Sequence, residues 1–213
     1  MSSGTIRLAI ADDHPAIGAA ILAAVAADGG EPRIELAGHA RTFDEAIAMA
    51  ERRGPERPDV LLCDLQLTSG LDGLRVIEAA GRDGPRAIAF TSFDRASLIR
   101  AVFERGGAGF LSKSTEMEVV IRAVRTVAAG GAAFSVADLD AVRTTPRAPS
   151  EREVEVIRGL MTGSTSDEIG HRLGISGRTV ESHLRRLFDR YGVVSRTELV
   201  VLATHEGWVA GAE

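Results

Sequence analysis

The sequence predicts an α/β chain in which a doubly wound five-stranded parallel sheet is followed by a small all-α unit. Three observations predict it. Between residue 5 and about residue 130, five short apolar runs alternate with stretches of helical period, the rhythm of strand–helix units. The run Val60-Leu61-Leu62-Cys63 is apolar without alternation, as a strand buried on both faces requires. From Ser150 onward the pattern is helical throughout, with a capping signal at each start.

In order, Ile6-Arg7-Leu8-Ala9-Ile10-Ala11 is the first strand and delivers Asp12 and Asp13. Pro15 suits the first turn of the next helix because its missing N–H costs nothing there. Ile17, Ile21, Leu22 and Val25 give that helix an apolar stripe, and Gly29-Gly30 ends it. Residues 33–36 form a second strand. Thr42-Phe43-Asp44-Glu45 is a capping box that opens a helix to about Arg53. The third strand, residues 60–63, ends abruptly in Asp64, and a helix covers residues 74–80. Residues 87–90 deliver Thr91 and Ser92, and the helix that follows runs through Phe103 to Gly106-Gly107. Residues 108–112 deliver Lys113; a second capping box, Thr115-Glu116-Met117-Glu118, opens a helix to about Ala129. His14 and His39 fall near turns and read as surface residues. Cys63 reads as a small apolar filler of a buried strand.

In an open parallel sheet, ligands bind at the carboxyl ends of the strands. An acid there, such as Asp64, is a cation ligand, a nucleophile or a helix cap. Asp12, Asp13, Asp64, Thr91 and Lys113 converge on that one edge. Three carboxylates held together repel unless they share a cation, and oxygen ligands of this kind suit Mg²⁺. A hydroxyl and an ammonium beside such a cation make a site for a phosphoryl group. Lys113 is the only lysine, beside 24 arginines. A compact ammonium is not interchangeable with a guanidinium fork at a tight anionic site; chance in an Arg-rich composition is the competing explanation.

On the Asp12-Asp13 pair, Asp64 after its apolar strand, Thr91 and Phe110-Leu111-Ser112-Lys113, residues 5 to about 130 resemble the receiver domain of a bacterial two-component response regulator. The resemblance implies a flavodoxin-like fold with Asp64 as phosphoacceptor. It implies Mg²⁺ held by Asp12, Asp13, Asp64 and the Gln66 backbone carbonyl. Thr91 and Lys113 would contact the phosphoryl oxygens, and Phe110 would be the aromatic that changes rotamer. Two departures concern loop geometry: Thr68-Ser69-Gly70-Leu71-Asp72-Gly73 lacks the proline often found there, and Ser114 replaces a common proline after the lysine.

These readings give a receiver over residues 1–134, a linker over 135–149 with a short helix over 136–142, and a helical domain over 150–213. Within the last, Ser150-Glu151-Arg152-Glu153, Thr165-Ser166-Asp167-Glu168 and Ser195-Arg196-Thr197-Glu198 are capping boxes, and Ser176 caps a fourth helix. Leu173-Gly174-Ile175-Ser176 is a short glycine turn of the helix-turn-helix kind. The helix after it packs through Val180, Leu184, Leu187 and Tyr191, with Phe188 on the flank. Its opposite arc carries Arg178, Glu181, Ser182 and Arg185, flanked by Arg186, Arg190 and His183. A solvated helix face is the plainer account of that arc.

Residues 150–209 resemble the LuxR/NarL-type DNA-binding domain through Glu151-Arg152-Glu153-Val154, Arg172-Leu173-Gly174-Ile175-Ser176, Arg178-Thr179-Val180 and Ser195-Arg196-Thr197-Glu198-Leu199. The resemblance implies that helix 177–190 enters the major groove. Glu181, Ser182 and Arg185 would face bases, and Arg178, Thr179 and His183 would touch phosphates. The last helix, residues 197–204, would form a dimer contact. A glutamate at 181 can accept from cytosine but also repels phosphate.

Composition bounds the reading. Net charge is −5, with 15 basic and 18 acidic groups over residues 1–134 and 8 and 10 over residues 150–213, so DNA contact must come from local charge placement. No apolar run is long enough for a membrane span, the start lacks the pattern of a signal peptide, and a single cysteine suits a reducing cytoplasm. The expectation is a cytoplasmic transcription factor, not an enzyme, that takes a phosphoryl group from a sensor histidine kinase and binds double-stranded DNA as a homodimer. Two alternatives stand beside it: a pseudo-receiver that works without phosphorylation, and an aspartyl-phosphate phosphohydrolase. The second usually needs an acid two residues after the nucleophile, where this chain has Gln66.

Overall fold

The structure, a computed structural model, describes residues 4–209 other than Ser69, Arg82 and Asp94. Residues 1–3 of the leader expectation and Ser69 of the proline-free loop therefore lie outside the described residues. The chain divides into two compact units between Thr145 and Pro146.

The first unit alternates strands and helices: β1 (Ile6–Ala11), α1 (Pro15–Ala27), β2 (Ile34–Ala40), α2 (Phe43–Ala50), β3 (Val60–Cys63), α3 (Gly73–Ala80), β4 (Arg86–Thr91), α4 (Ala96–Glu104), β5 (Gly109–Ser112), α5 (Met117–Ala128) and α6 (Val136–Thr144). The sheet order is β2-β1-β3-β4-β5, and every pair is parallel. The chain leaves β1 in one direction to β2 and returns on the other side to β3. The topological switch point, where a crevice opens at the carboxyl edge, therefore lies between the ends of β1 and β3.

Side-chain alternation along the strands splits the core into two layers. Leu8, Ile10, Leu62, Ile88 and Phe90 pack against Ile21 of α1 and Val120, Val124 and Val127 of α5. Ala9, Ala11, Leu61, Cys63 and Ala89 face the other way, toward Met49 of α2, Ile77 of α3 and Leu98 and Val102 of α4. Small strand residues on this second face let its three helices approach closely.

Several boundaries differ from the sequence expectation. β2 runs on to Ala40, and α2 stops at Ala50 because Gly54-Pro55 follows and forms a short 3-10 turn, Gly54–Glu56. The box at Thr115 does not form. The Thr115 amide closes a turn onto the Ser112 carbonyl at 2.9 Å, and α5 starts after Glu116 without a side-chain cap. Leu22 lies 45% exposed, on the outer side of α1 from the buried Ile21. α6 is longer than expected and is docked on the sheet unit: Ala141 and Val142 join the second core layer, and Phe134 meets Phe103 edge to face at 5.7 Å. Arg100 of α4 donates to the Val142 and Thr145 carbonyls at 2.8 and 2.7 Å, satisfying the C-terminal end of α6.

The second unit contains α7 (Glu151–Met161), α8 (Ser166–Leu173), α9 (Gly177–Tyr191) and α10 (Arg196–His205). Ser150–Glu153 and Thr165–Glu168 form reciprocal capping boxes, and Ser195 and Ser176 each cap with the side chain. Gly174, at φ 68°, ends α8 in the left-handed region that admits glycine and reverses the chain into α9. Val156, Ile157, Ile169, Val180, Leu184, Leu187, Leu199 and Ala203 make the core. Phe188 and Tyr191 are half-buried against it, and Tyr191 meets Trp208 with ring centroids 4.6 Å apart and planes tilted by 40°. No helix of the described residues is long and apolar enough to cross a membrane.

Candidate functional site

The switch point holds the residues singled out in the sequence. Asp64, directly after β3, is buried, and Lys113 Nζ from the end of β5 lies 2.6 Å from its Oδ2. The same ammonium lies 2.8 Å from Asp12 Oδ2. Asp64 Oδ1 accepts from the Gln66 amide at 3.2 Å, which fixes the carboxylate against the following turn. Thr91 is fully buried at the end of β4; its carbonyl accepts from the Lys113 amide at 2.8 Å, and its Oγ1 accepts from the Phe93 amide at 3.3 Å. Phe110, in β5, is buried within the core layer shared by α2, α3 and α4.

The charges at this edge act on one another. Burial holds Asp64 above the usual carboxylate range, opposed by Lys113 and the Gln66 amide. Burial also disfavours charge on Lys113, but its contacts with Asp12 and Asp64 outweigh this and hold the ammonium above its ordinary value. Burial pushes the Cys63 thiol far up, with Asp64, Asp72 and Asp12 adding to it, so the thiol stays protonated and inert.

Asp12, Asp13, His14 and Asp64 each bring one potential ligand atom within 4.8 Å of the others. Asp12 Oδ2 is buried, with the Lys113 ammonium as its partner. A donor set dominated by carboxylates fits a cation at this edge. His14 is exposed, as the sequence suggested, but it is no bystander: its Nδ1 lies 2.6 Å from Asp13 Oδ1 and 3.3 Å from Asp12 Oδ1. His39 likewise reaches inward, its Nε2 2.9 Å from the Asp12 carbonyl. Sequence spacing could have placed His14 beside the acids; nothing in sequence brought His39 there.

Local bonds replace the two missing prolines. Asp72 accepts from the Leu67 and Thr68 amides at 2.9 and 3.0 Å and orders the loop after Asp64. The Ser114 amide and hydroxyl both meet Ser112 Oγ, at 3.2 and 2.8 Å.

On α9, Arg178, Thr179, Glu181, Ser182 and Arg185 are exposed, whereas His183 is half-buried with its Nδ1 unpartnered among the described residues. Thr179 Oγ1 lies 2.8 Å from Ser176 Oγ, and Ser182 Oγ donates to the Arg178 carbonyl at 2.9 Å. Arg190 does not flank this arc. Its guanidinium turns into the unit and forks onto Glu153 at 2.9 and 3.0 Å. One oxygen of Glu181 is already engaged: Oε1 accepts from Arg196 and Ser166.

A parallel sheet with an acidic switch point, joined to a capped helix-turn-helix, is the architecture of a bacterial response regulator. Residues 8–125 match the family model of the response regulator receiver domain, and residues 150–203 match that of the bacterial regulatory proteins of the luxR family. The chain belongs to this family and is a response regulator with a LuxR-type DNA-binding domain. It is 30% identical over 207 residues to the nitrate/nitrite response regulator protein NarP of Escherichia coli (strain K12), covering 92% of this chain and 93% of that one. Among solved structures it resembles the response regulator ChrA of a heme-sensing two-component system, with a TM-score of 0.51 and 26% identity over 97% of this chain and 100% of that chain. The Salmonella typhimurium response regulator RcsB shares the fold at a TM-score of 0.63 and 20% identity, over 93% of this chain and 99% of that one.

Proposed function

We propose that Asp64 accepts a phosphoryl group from a sensor histidine kinase and that this controls dimerisation and operator binding. The observation that carries the reading is the buried Asp64 carboxylate, held 2.6 Å from the lone lysine's ammonium and within ligand distance of Asp12 and Asp13. In the transfer, a carboxylate oxygen of Asp64 forms the new P–O bond as the P–N bond to the kinase histidine breaks. Asp12, Asp13, Asp64 and the Gln66 carbonyl are the residues that would hold Mg²⁺. The ion supplies charge neutralisation for the incoming phosphoryl oxygens.

Lys113 is already charged and positioned, so it meets a phosphoryl oxygen without reorganisation. The acyl phosphate adds about −1.5 to −2 charges, by analogy with other phosphorylated side chains. Thr91 Oγ1, which accepts from the Phe93 amide at 3.3 Å, is the hydroxyl that turns toward it. Phe110 then moves into the space Thr91 leaves. The chain acts in the cytoplasm as a regulator rather than an enzyme with turnover. Its other partner is double-stranded DNA with two half-sites, met by α9. Arg178, Thr179 and His183 are assigned to phosphates, and Glu181, Ser182 and Arg185 to base edges. The receiver is assigned to residues 1–134, the linker to 135–149 and the DNA-binding domain to 150–213.

The test is incubation with labelled acetyl phosphate and Mg²⁺. Wild type is expected to take up acid-stable, base-labile label, and Asp64→Asn to take up less than a tenth as much. Equal labelling of the two proteins would end this reading.

A further inference from the structure

A carboxylate on a groove-entering helix is a liability, because every phosphate nearby repels it. Glu181 stands on the exposed arc of α9 beside Arg178, Ser182 and Arg185. Its surroundings answer the problem. Ser166, the first residue of α8, donates through Oγ to Glu181 Oε1. Arg196, the first residue of α10, donates through Nη2 to the same Oε1. Arg196 Nη2 also donates to Ser166 Oγ at 2.7 Å, closing a three-membered cycle among the starts of two helices and the exposed face of a third.

An ion pair whose side chains are 43% and 57% exposed adds little to stability. Its geometry does something else. Both donors converge on Oε1, so the carboxylate is turned with Oε2 as the oxygen left to accept. The arginine cancels the charge that phosphates would repel. In the major groove a single acceptor on a protein side chain finds its complement in the exocyclic amine of cytosine, whereas adenine is better met by the bidentate fork of Asn or Gln.

We propose that Glu181 reads a cytosine amine in each half-site through Oε2, with Arg196 and Ser166 as positioning residues that orient and neutralise the carboxylate. This rests on the reading that α9 enters the major groove.

The experiment is selection from randomised duplexes with the full-length chain in Mg²⁺ and beryllofluoride, a mimic of the acyl phosphate. Wild type, Glu181→Ala, Glu181→Lys and Arg196→Ala are compared at one stated salt concentration. Wild type is expected to enrich cytosine at one fixed position of each half-site. Glu181→Ala is expected to lose that preference by about tenfold or more while preferences elsewhere in the site persist. Glu181→Lys is expected to move the preference at that position toward guanine. Arg196→Ala is expected to shrink the cytosine preference and to weaken binding, with an unchanged melting temperature; a purely structural bridge would not move a single base preference.

Identical selected sites for wild type and Glu181→Ala would overturn the proposal. So would a Glu181→Ala protein that binds every duplex more tightly by the same factor, since Glu181 would then be only a repelling charge. If wild type enriches no sequence at all, the groove reading itself falls, and the proposal falls with it.

Discussion

Glu153 is 5% exposed and still charged, because three groups hold it so. Burial raises its pKa, but the Arg190 fork and the Ser150 amide and hydroxyl outweigh this and keep it below the usual glutamate range. A depressed folded-state pKa contributes stability that is fully present above the ordinary glutamate value and is lost as pH falls through the depressed one. Arg190→Ala leaves the carboxylate buried and unpaired. It is expected to destabilise the helical unit by about 2–3 kcal/mol at pH 7, less than a fully buried pair would lose because Arg190 is partly exposed. Urea unfolding measures this, and a loss below about 0.5 kcal/mol would show the pair to be idle. Glu153→Gln should flatten the acid limb of the stability–pH curve that wild type shows. Sequence spacing gave Glu153 its capping partner but not Arg190, which lies 37 residues away and was assigned to the DNA-facing arc.

At the scale of elements, α3 approaches the phosphoacceptor strand closely enough to need Gly73. A Cβ there would stand 2.0 Å from the Asp64 carbonyl oxygen and 2.6 Å from Leu65 Cα, both backbone atoms that cannot turn aside. Gly73→Ala is therefore expected to push α3 off β3, destabilising the sheet unit by about 2 kcal/mol. It should also slow labelling of Asp64, because the acceptor is attached to the displaced backbone. Thermal unfolding and acetyl phosphate labelling of the same preparation check both; normal values for both would mean that α3 shifts freely. The strands and most helices were legible, since apolar runs and caps are local signals. The docking of α6 was not, because Arg100 caps it from α4 and Phe103 meets Phe134 across a gap no periodicity spans.

At the scale of the whole molecule, two cores with separate residue sets predict two unfolding steps. Calorimetry of the full chain is expected to resolve two transitions. Mg²⁺ with beryllofluoride should raise only the one belonging to the sheet unit, because ligand binding stabilises the unit that binds. A single transition that moves as a whole would show instead that the units unfold together. By itself the sequence determined the strand–helix rhythm, the acids, hydroxyl and lysine at the strand ends, and the capped helices with their glycine turn. These are written in periods of two and 3.6 residues and in neighbours three positions apart. Only the tertiary structure decided that Arg190 turns inward to Glu153 and that Arg196 holds Glu181. Such pairings depend on where distant helices bring charged side chains together, and long flexible side chains take their partners from the folded surface rather than from their own neighbourhood in the chain.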